Sequence, residues 1–187
     1  MTASFLDIQQ TEQLESALAK GNGRYISLSK IEGEKRIRFL GQGITGVVAW
    51  TEPAPGEKNG YPMRWELEPN EYPENIQKNK KTGKPEAKDF LAGIVWDYDV
   101  QKLMIVEITQ KTVRQAIAKY MRDSDYGDPH GYDFKISREG EGMNTEYTTI
   151  ATPPKKLSDE VKAAWDKEGN KIVLAALYDG EDPFKDC

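Results

Sequence analysis

Alternation of apolar and polar residues between residues 24 and 51 predicts three short strands. They lie at residues 24–29, 35–40 and 47–51. In the second of them, Arg36 and Arg38 fall on one face, opposite the face that carries Ile37 and Phe39. The glycines that follow predict a sharp bend or a β-bulge before the third strand: Gly41, Gly43 and Gly46.

Farther along the chain, the apolar period changes from two residues to 3.6 and back to two. Residues 89–97 and 102–108 predict two strands. An apolar stripe at helical spacing follows, after a capping box of Thr112 and Gln115: Val113, Ala116, Ile117, Tyr120 and Met121. Residues 132–138 and 145–150 predict a hairpin. A helix before two closing strands is typical of the second half of an OB barrel, so we expect a mainly β fold, a β-barrel of the OB type.

The chain of 187 residues is long enough for one barrel domain with peripheral segments. We predict an N-terminal helical extension at residues 1–22, the barrel at 23–154, a C-terminal helix or extension at 155–176 and an acidic, disordered tail at 177–187. Ser158 is the expected N-cap of the C-terminal helix. Between the strands, the proline-rich stretch 52–88 has one strand-like island at Met63–Trp65, and a loop of this length is either functional or disordered.

Charge is distributed unevenly along the chain. The net charge of -5 by itself argues against a nucleic-acid partner. However, residues 78–88 carry five lysines against Glu86, a local charge of +4, and residues 179–186 carry four acids against Lys185, a local charge of -3. Blocks of this kind are typical of interaction arms, although two solvated loops would give the same pattern.

Enzymatic chemistry finds little support in the residue types. One histidine, His130, and one cysteine, Cys187, do not make the usual zinc site, and neither a nucleophile elbow nor a phosphate-binding loop occurs. Asp97 and Glu107 on neighbouring strands leave a metal-dependent nuclease as the less favoured alternative. We therefore expect no catalytic residue, no metal and no cofactor.

Binding of single-stranded DNA is better supported, because it needs cations along the phosphates and aromatic faces for the bases. Trp96 and Trp165 are expected to pack inside the protein. The remaining basic and aromatic positions on predicted strands and loops form the candidate DNA-binding set: Arg36, Arg38, Trp50, Arg64, Trp65, Lys78, Lys80, Lys81, Lys84, Lys88, Tyr98 and Arg138.

Residues 32–154 also resemble one protein family, the single-stranded-DNA-binding proteins of tailed bacteriophages. The resemblance is carried by four stretches in the family's order: GEKRIRFL (33–40), DFLAGIVWDY (89–98), VEITQKTVRQAI (106–117) and residues 127–147. It implies an OB-fold module that coats single-stranded DNA, without strong sequence specificity, during phage replication and recombination in the host cytoplasm. It also implies that the acidic tail contacts replication proteins and competes with DNA. The bacterial form of such a tail ends on its phenylalanine, whereas Lys185, Asp186 and Cys187 follow Phe184 here.

Two further questions stay open at this point. A basic groove could equally bind an acidic partner protein, which makes a protein-interaction module the first alternative. Double-stranded DNA and RNA also stay open as weaker ligands, because phosphates and base faces carry no test for the 2′-hydroxyl. A membrane is not expected as a partner, since no apolar run approaches the roughly 20 residues of a spanning helix.

Overall fold

The computed structural model describes residues 23–187, so the predicted N-terminal helical extension, residues 1–22, lies outside the described part. Within it, the strands are β1 (Tyr25–Ile26), β2 (Gly33–Trp50), β3 (Pro62–Trp65), β4 (Ala87–Asp97), β5 (Lys102–Ile108), β6 (Phe134–Glu139) and β7 (Glu146–Ala151). The α-helices are α1 (Lys111–Arg122) and α2 (Asp159–Glu168). Short 3-10 helices lie at Leu28–Lys30, Pro129–Gly131, Gly142–Asn144, Gly169–Lys171 and Leu174–Leu177.

The described strands form a single sheet that curls into an open half-barrel, which confirms the mainly β class. The strand order is β1-β5-β4-β2-β6-β7, with β3 added to β2. All pairings are antiparallel except that of β1 with β5. The 18 residues of β2 connect the two halves of the sheet, because β2 pairs with β6 at its start, with β4 along most of its length and with β3 at its end.

The second and third predicted strands are one continuous strand, β2, bent at its glycines. The register between β2 and β4 shifts between Leu40 and Ile44, which confirms the predicted bulge. Gly41 has a φ of +62°, and a Cβ there would lie 2.6 Å from the ring of Trp165. Its carbonyl oxygen lies 2.6 Å from Nε2 of His130. Only glycine combines this backbone conformation with so close a ring, so the bend depends on that residue.

Both faces of the sheet are buried along the middle of β4 and β5. One face packs against α1, through Val113 and Ile117 on the helix and strand residues such as Ile37 and Phe39. The other face carries Phe90, Ala92, Ile94 and Trp96 of β4, and it is covered by the C-terminal segment. The covering side chains come from α2 and the residues after it: Val161, Ile172, Leu174, Leu177 and Phe184. Trp96 and Trp165 therefore pack as expected.

The residues after Leu177 include Phe184, which packs into the apolar cluster on the sheet, whereas the composition of this segment predicts a disordered acidic tail. Phe184 is only 4% exposed. Its ring lies 3.9 Å below the guanidinium of Arg24 and meets the ring of Tyr25 edge-on, at 6.2 Å between centroids. Acidic residues dominate the composition of this segment, but its single phenylalanine has an apolar ring that favours burial.

Of the two predicted helix caps, one is confirmed and the other is wrong. The Ser158 side chain accepts a hydrogen bond from the backbone N–H of Val161, which confirms it as the N-cap of α2. The predicted capping box at Thr112 is wrong, because α1 already begins at Lys111 and its N-cap, Gln110, makes no side-chain capping bond. No helix among residues 23–187 combines the length and the apolar character needed to cross a membrane.

Candidate nucleic-acid interface

The lysine-rich segment is an ordered projection, which we call the basic arm (residues 76–88). Ile76 anchors it, since its side chain is fully buried and its backbone forms an antiparallel β-bridge with Thr51, just after β2. Gln77 adds two hydrogen bonds: its N–H donates to the carbonyl of Trp50 at 2.8 Å, and its side-chain amide donates to the carbonyl of Thr51 at 2.9 Å. The arm is thereby held against the end of β2.

The tip of the basic arm is a tight turn organised by Asn79. Its side-chain oxygen accepts from the N–H groups of Lys81 and Thr82, at 3.0 and 3.1 Å. The backbone of Lys78 forms an antiparallel β-bridge with Pro85 across the turn. The five lysines of the arm are all exposed, and none forms an ion pair with any residue between 23 and 187: Lys78, Lys80, Lys81, Lys84 and Lys88. Their charge is therefore free to meet an anion from solution.

Two aromatic side chains stand exposed at the base of the arm. Trp50 is 48% exposed and Tyr61 is 59% exposed. They are close along the backbone, because Trp50 pairs with Pro62 and the N–H of Thr51 donates to the carbonyl of Tyr61 at 3.0 Å. Lys88 pairs with Val48, two residues before Trp50, so Lys88 and Trp50 lie on the same face of the sheet. An aromatic and cationic surface results.

Arg64 and Trp65 do not join this surface. The Arg64 Nε donates to a carboxylate oxygen of Glu107 at 2.5 Å, and its side chain is largely buried. Trp65 pairs with Val47, three residues before Trp50, so the two tryptophans point to opposite faces of β2 and β3. The ring of Trp65 packs edge-on against Tyr72 at 5.3 Å. The structure thus separates these two candidates from the arm.

The two arginines of β2 converge on one buried carboxylate. We call the group around it the Asp133 cluster: Asp133, Arg36, Arg38, Tyr98 and Lys155. Asp133 accepts hydrogen bonds from Arg36 Nε at 2.8 Å, Arg38 Nε at 2.5 Å and the Tyr98 hydroxyl at 2.9 Å, and Lys155 Nζ lies 3.0 Å away. Because Asp133 is fully buried, this carboxylate is stabilised by its partners and not by water.

Arg38 is fully buried, which contradicts its prediction as a groove residue that contacts phosphate. Beyond its ion pair, its Nη1 donates to the backbone carbonyls of His130 and Lys155, at 3.0 and 3.1 Å. The shared face of Arg36 and Arg38 is as predicted, but the segment just before β6 and the segment after β7 close over the second arginine. Arg38 holds these elements together.

Tyr98 is also occupied. Its ring centroid lies 4.7 Å from the guanidinium carbon of Arg36 and 5.4 Å from Nζ of Lys155, so both cations lie close to the ring. Burial, with the hydrogen bond to Asp133 and its negative charge, raises the pKa of Tyr98 to about 12. The hydroxyl therefore stays protonated near neutral pH and continues to donate to Asp133.

The pKa of Asp133 reflects the same balance. Burial by itself would raise that pKa, but hydrogen bonds from Lys155, Arg36 and Tyr98, with the charge of Arg38, outweigh burial and lower it below its ordinary value. The carboxylate is thus ionised at neutral pH, and one negative charge stands among three positive ones.

The remaining basic candidate, Arg138, lies apart from both groups. It is on β6 with Phe134 and Ile136, on the face opposite to Asp133 and Lys135. Arg138 lies opposite Gly33, the first residue of β2, and opposite Tyr147 of β7. The basic arm is at the other end of β2.

The carboxylates of the nuclease alternative do not converge. Asp97 of β4 lies directly opposite Lys102 of β5, and Glu107 is five residues farther along β5. An odd number of residues puts the two acids on opposite faces of the sheet, about 17 Å apart along the strands. Asp97 forms an ion pair with Lys35, and Glu107 forms an ion pair with Arg64. The described residues contain no group of three or more metal-ligating side chains.

Sequence reasoning missed three residues of this interface: Asp133, Lys155 and Tyr61. Asp133 follows an aromatic residue in a strand-like run and carried no sign that it would be buried. Lys155 lies just past residue 154, the predicted end of the barrel. For Tyr61, the signal was available, because a tyrosine between Gly60 and Pro62 is a poor setting for a core residue.

Comparison of the chain with family models, with curated proteins and with solved structures found no significant match.

Proposed function

We propose that the protein binds single-stranded DNA without strong sequence specificity, as a phage replication or recombination protein would. The observation that carries this proposal is the basic arm, where five exposed lysines without a carboxylate partner in the described chain stand beside exposed Trp50 and Tyr61. Cations for the phosphates and aromatic faces for the bases are the two elements of such binding.

In this proposal the arm lysines neutralise successive phosphates, and Trp50 and Tyr61 stack on unpaired bases. Every base offers a π-face, so stacking does not depend on the base sequence. In a duplex the base faces are stacked inside the helix, so this mode of binding favours single strands. Each neutralised phosphate releases condensed counterions, so the affinity should fall steeply with salt.

The proposed relation to OB proteins rests on strand order. Strands β2, β4 and β5, then α1, then β6 and β7 follow the order of a five-stranded OB barrel with its helix before the last two strands. The OB barrel is partly open in general. In this chain β5 and β7 do not pair with each other, and α1 contacts β7. We propose that the sheet is an OB barrel opened along this seam.

The proposal gives the acidic C-terminal residues an inhibitory role, with replication proteins as the partners that relieve it. Asp179, Glu181 and Asp186 are exposed, and Phe184 between them is buried. Removing the whole tail would strip an apolar side chain from the sheet. Neutralising the acids alone (Asp179→Asn, Glu181→Gln, Asp186→Asn) is the cleaner variant, and it should raise DNA affinity by weakening repulsion of the phosphates.

The decisive experiment is a titration of fluorescently labelled oligo-dT at two salt concentrations, with anisotropy and intrinsic tryptophan fluorescence recorded together. Binding that weakens with salt and quenches tryptophan supports the proposal, and the quench should shrink in a Trp50→Phe variant. Absence of binding at low salt, for both the natural chain and the acid-neutralised variant, would refute it and leave an acidic protein as the ligand of the arm.

A further inference from the structure

The Asp133 cluster contains more positive charge than its carboxylate offsets. Arg36, Arg38 and Lys155 surround Asp133, and no other carboxylate between residues 23 and 187 forms an ion pair with any of the three. The described part of the cluster therefore carries a surplus of two positive charges. Like charges held this closely repel each other unless an anion offsets them.

Part of this surplus is accessible from solution. The side chains of Arg36 and Lys155 are 36% and 45% exposed, whereas Asp133 and Arg38 are fully buried. Arg36 directs Nε and Nη2 to Asp133, which leaves the donors of Nη1 without a partner among the described residues. The Nη2 atom of Arg38 is buried and likewise has no hydrogen-bond partner there.

The two accessible cations are also held in place. Both lie close to the Tyr98 ring, both contact Asp133, and the hydroxyl of Tyr98 is itself fixed by Asp133. A guanidinium and an ammonium group fixed side by side are pre-organised for an anion with several oxygens, because little side-chain entropy is lost on binding. Since the cations cover the ring, a nucleic-acid base has little access to it.

From these observations we infer that Arg36 and Lys155 form a phosphate-binding subsite, with Asp133, Tyr98 and Arg38 as positioning residues. This inference rests on the proposed function, because it assigns the phosphate to the backbone of a bound DNA strand. The subsite lies at the start of β2, whereas Trp50 and the basic arm lie at its end. The sheet face between them is packed against the C-terminal segment, so the subsite is a second contact, separate from the arm.

The test compares Lys155→Gln with Lys156→Gln. Lys156 is the adjacent residue, is also exposed and forms no ion pair with the described residues, so it controls for a general loss of charge. Each variant is titrated with labelled oligo-dT of about 16 nucleotides, the upper site size of one OB fold, over a series of salt concentrations. Loss of one phosphate contact should lower the slope of log K against log salt by about 0.7 for Lys155→Gln, with the slope of Lys156→Gln unchanged.

A second readout follows the cluster directly. The Nε–H signal of Arg36 in ¹H–¹⁵N spectra, assigned by its absence in an Arg36→Lys variant, should shift when oligo-dT is added to the natural protein. The shift should be lost or reduced in Lys155→Gln. An unmoved signal at saturating DNA, or equal slopes for the Lys155 and Lys156 variants, would overturn the subsite.

The double variant Lys80→Gln/Lys81→Gln distinguishes refutation of the subsite from failure of the proposed function. If it weakens binding while Lys155→Gln does not, the arm binds DNA and the subsite is refuted. If the natural protein binds no oligo-dT at all, the proposed function fails and the subsite fails with it.

Discussion

The basic arm and the Asp133 cluster use positive charge in opposite ways. In the arm, five lysines are exposed and lack carboxylate partners among the described residues, and the backbone around Asn79 and Ile76 sets their position. In the cluster, two arginines and one lysine meet a buried carboxylate. The arm holds its shape without its charges, whereas the cluster depends on them.

The residue types match these roles. Lysine keeps a strongly hydrated point charge on a flexible stem, which suits contacts with phosphates that move relative to the protein. Arginine presents a planar set of donors that is more weakly hydrated, and it can be buried against a carboxylate and backbone carbonyls at once, as Arg38 is. Removal of charge should therefore affect folding in the Asp133 cluster and binding in the basic arm.

The largest effect is expected for Asp133→Asn. Removing this charge leaves Arg38 buried without its counter-charge, and breaking a buried pair in this way costs about 3–5 kcal/mol of unfolding free energy. Urea denaturation measures the loss. The exposed Asp179→Asn serves as control and should change the unfolding free energy by less than about 0.5 kcal/mol. A loss below about 1 kcal/mol for Asp133→Asn would mean that the cluster is not a structural element.

In the arm, a triple change of Lys80, Lys81 and Lys84 to Gln should act on binding alone. If each lysine neutralises one phosphate, the slope of log K against log salt for oligo-dT should fall by about 2. The urea midpoint should stay close to that of the natural protein, because these side chains form no ion pair in the described chain. A large loss of stability with an unchanged slope would reverse the assignment of the two regions.

Trp50→Ala and Trp65→Ala sharpen the limits of the arm's surface. We expect Trp50→Ala to weaken oligo-dT binding by about 1–3 kcal/mol, the range for loss of one stacked base. Trp65→Ala should leave the affinity nearly unchanged, because its ring packs against Tyr72 on the other face. Anisotropy titrations measure both. Equal losses would show that the DNA contacts both faces of β3.

Acid should affect the cluster and spare the arm. The pKa of Asp133 is lowered in the folded state, so its contribution to stability is present above the unfolded-state pKa of about 3.9 and is lost as the pH falls through the folded-state value. Urea denaturation at a series of pH values below about 5 should therefore show a larger loss of stability for the natural protein than for Asp133→Asn. The same acid slope in both proteins would place the titrating group elsewhere.

Much of the sheet followed from the sequence, because strand faces depend on local alternation. The bounds of β5, the bulge at the glycines of β2 and the shared face of Arg36 and Arg38 were all predicted correctly. The mainly β class was predicted too. Alternation reports which side chains share a face, and each of these features is a property of a few consecutive residues.

Alternation does not report what covers a face, and tertiary structure decided that. Arg38 is separated from Asp133 by 95 residues, so no local pattern indicated that this arginine would be buried. The tail had the composition of a solvated segment, yet Phe184 found an apolar sheet face and the Arg24 guanidinium to pack against. The sequence by itself determined where charge and apolar surface lie along the chain. Long-range packing determined which charges remain in water, since burying a charge requires a partner that only the folded chain supplies.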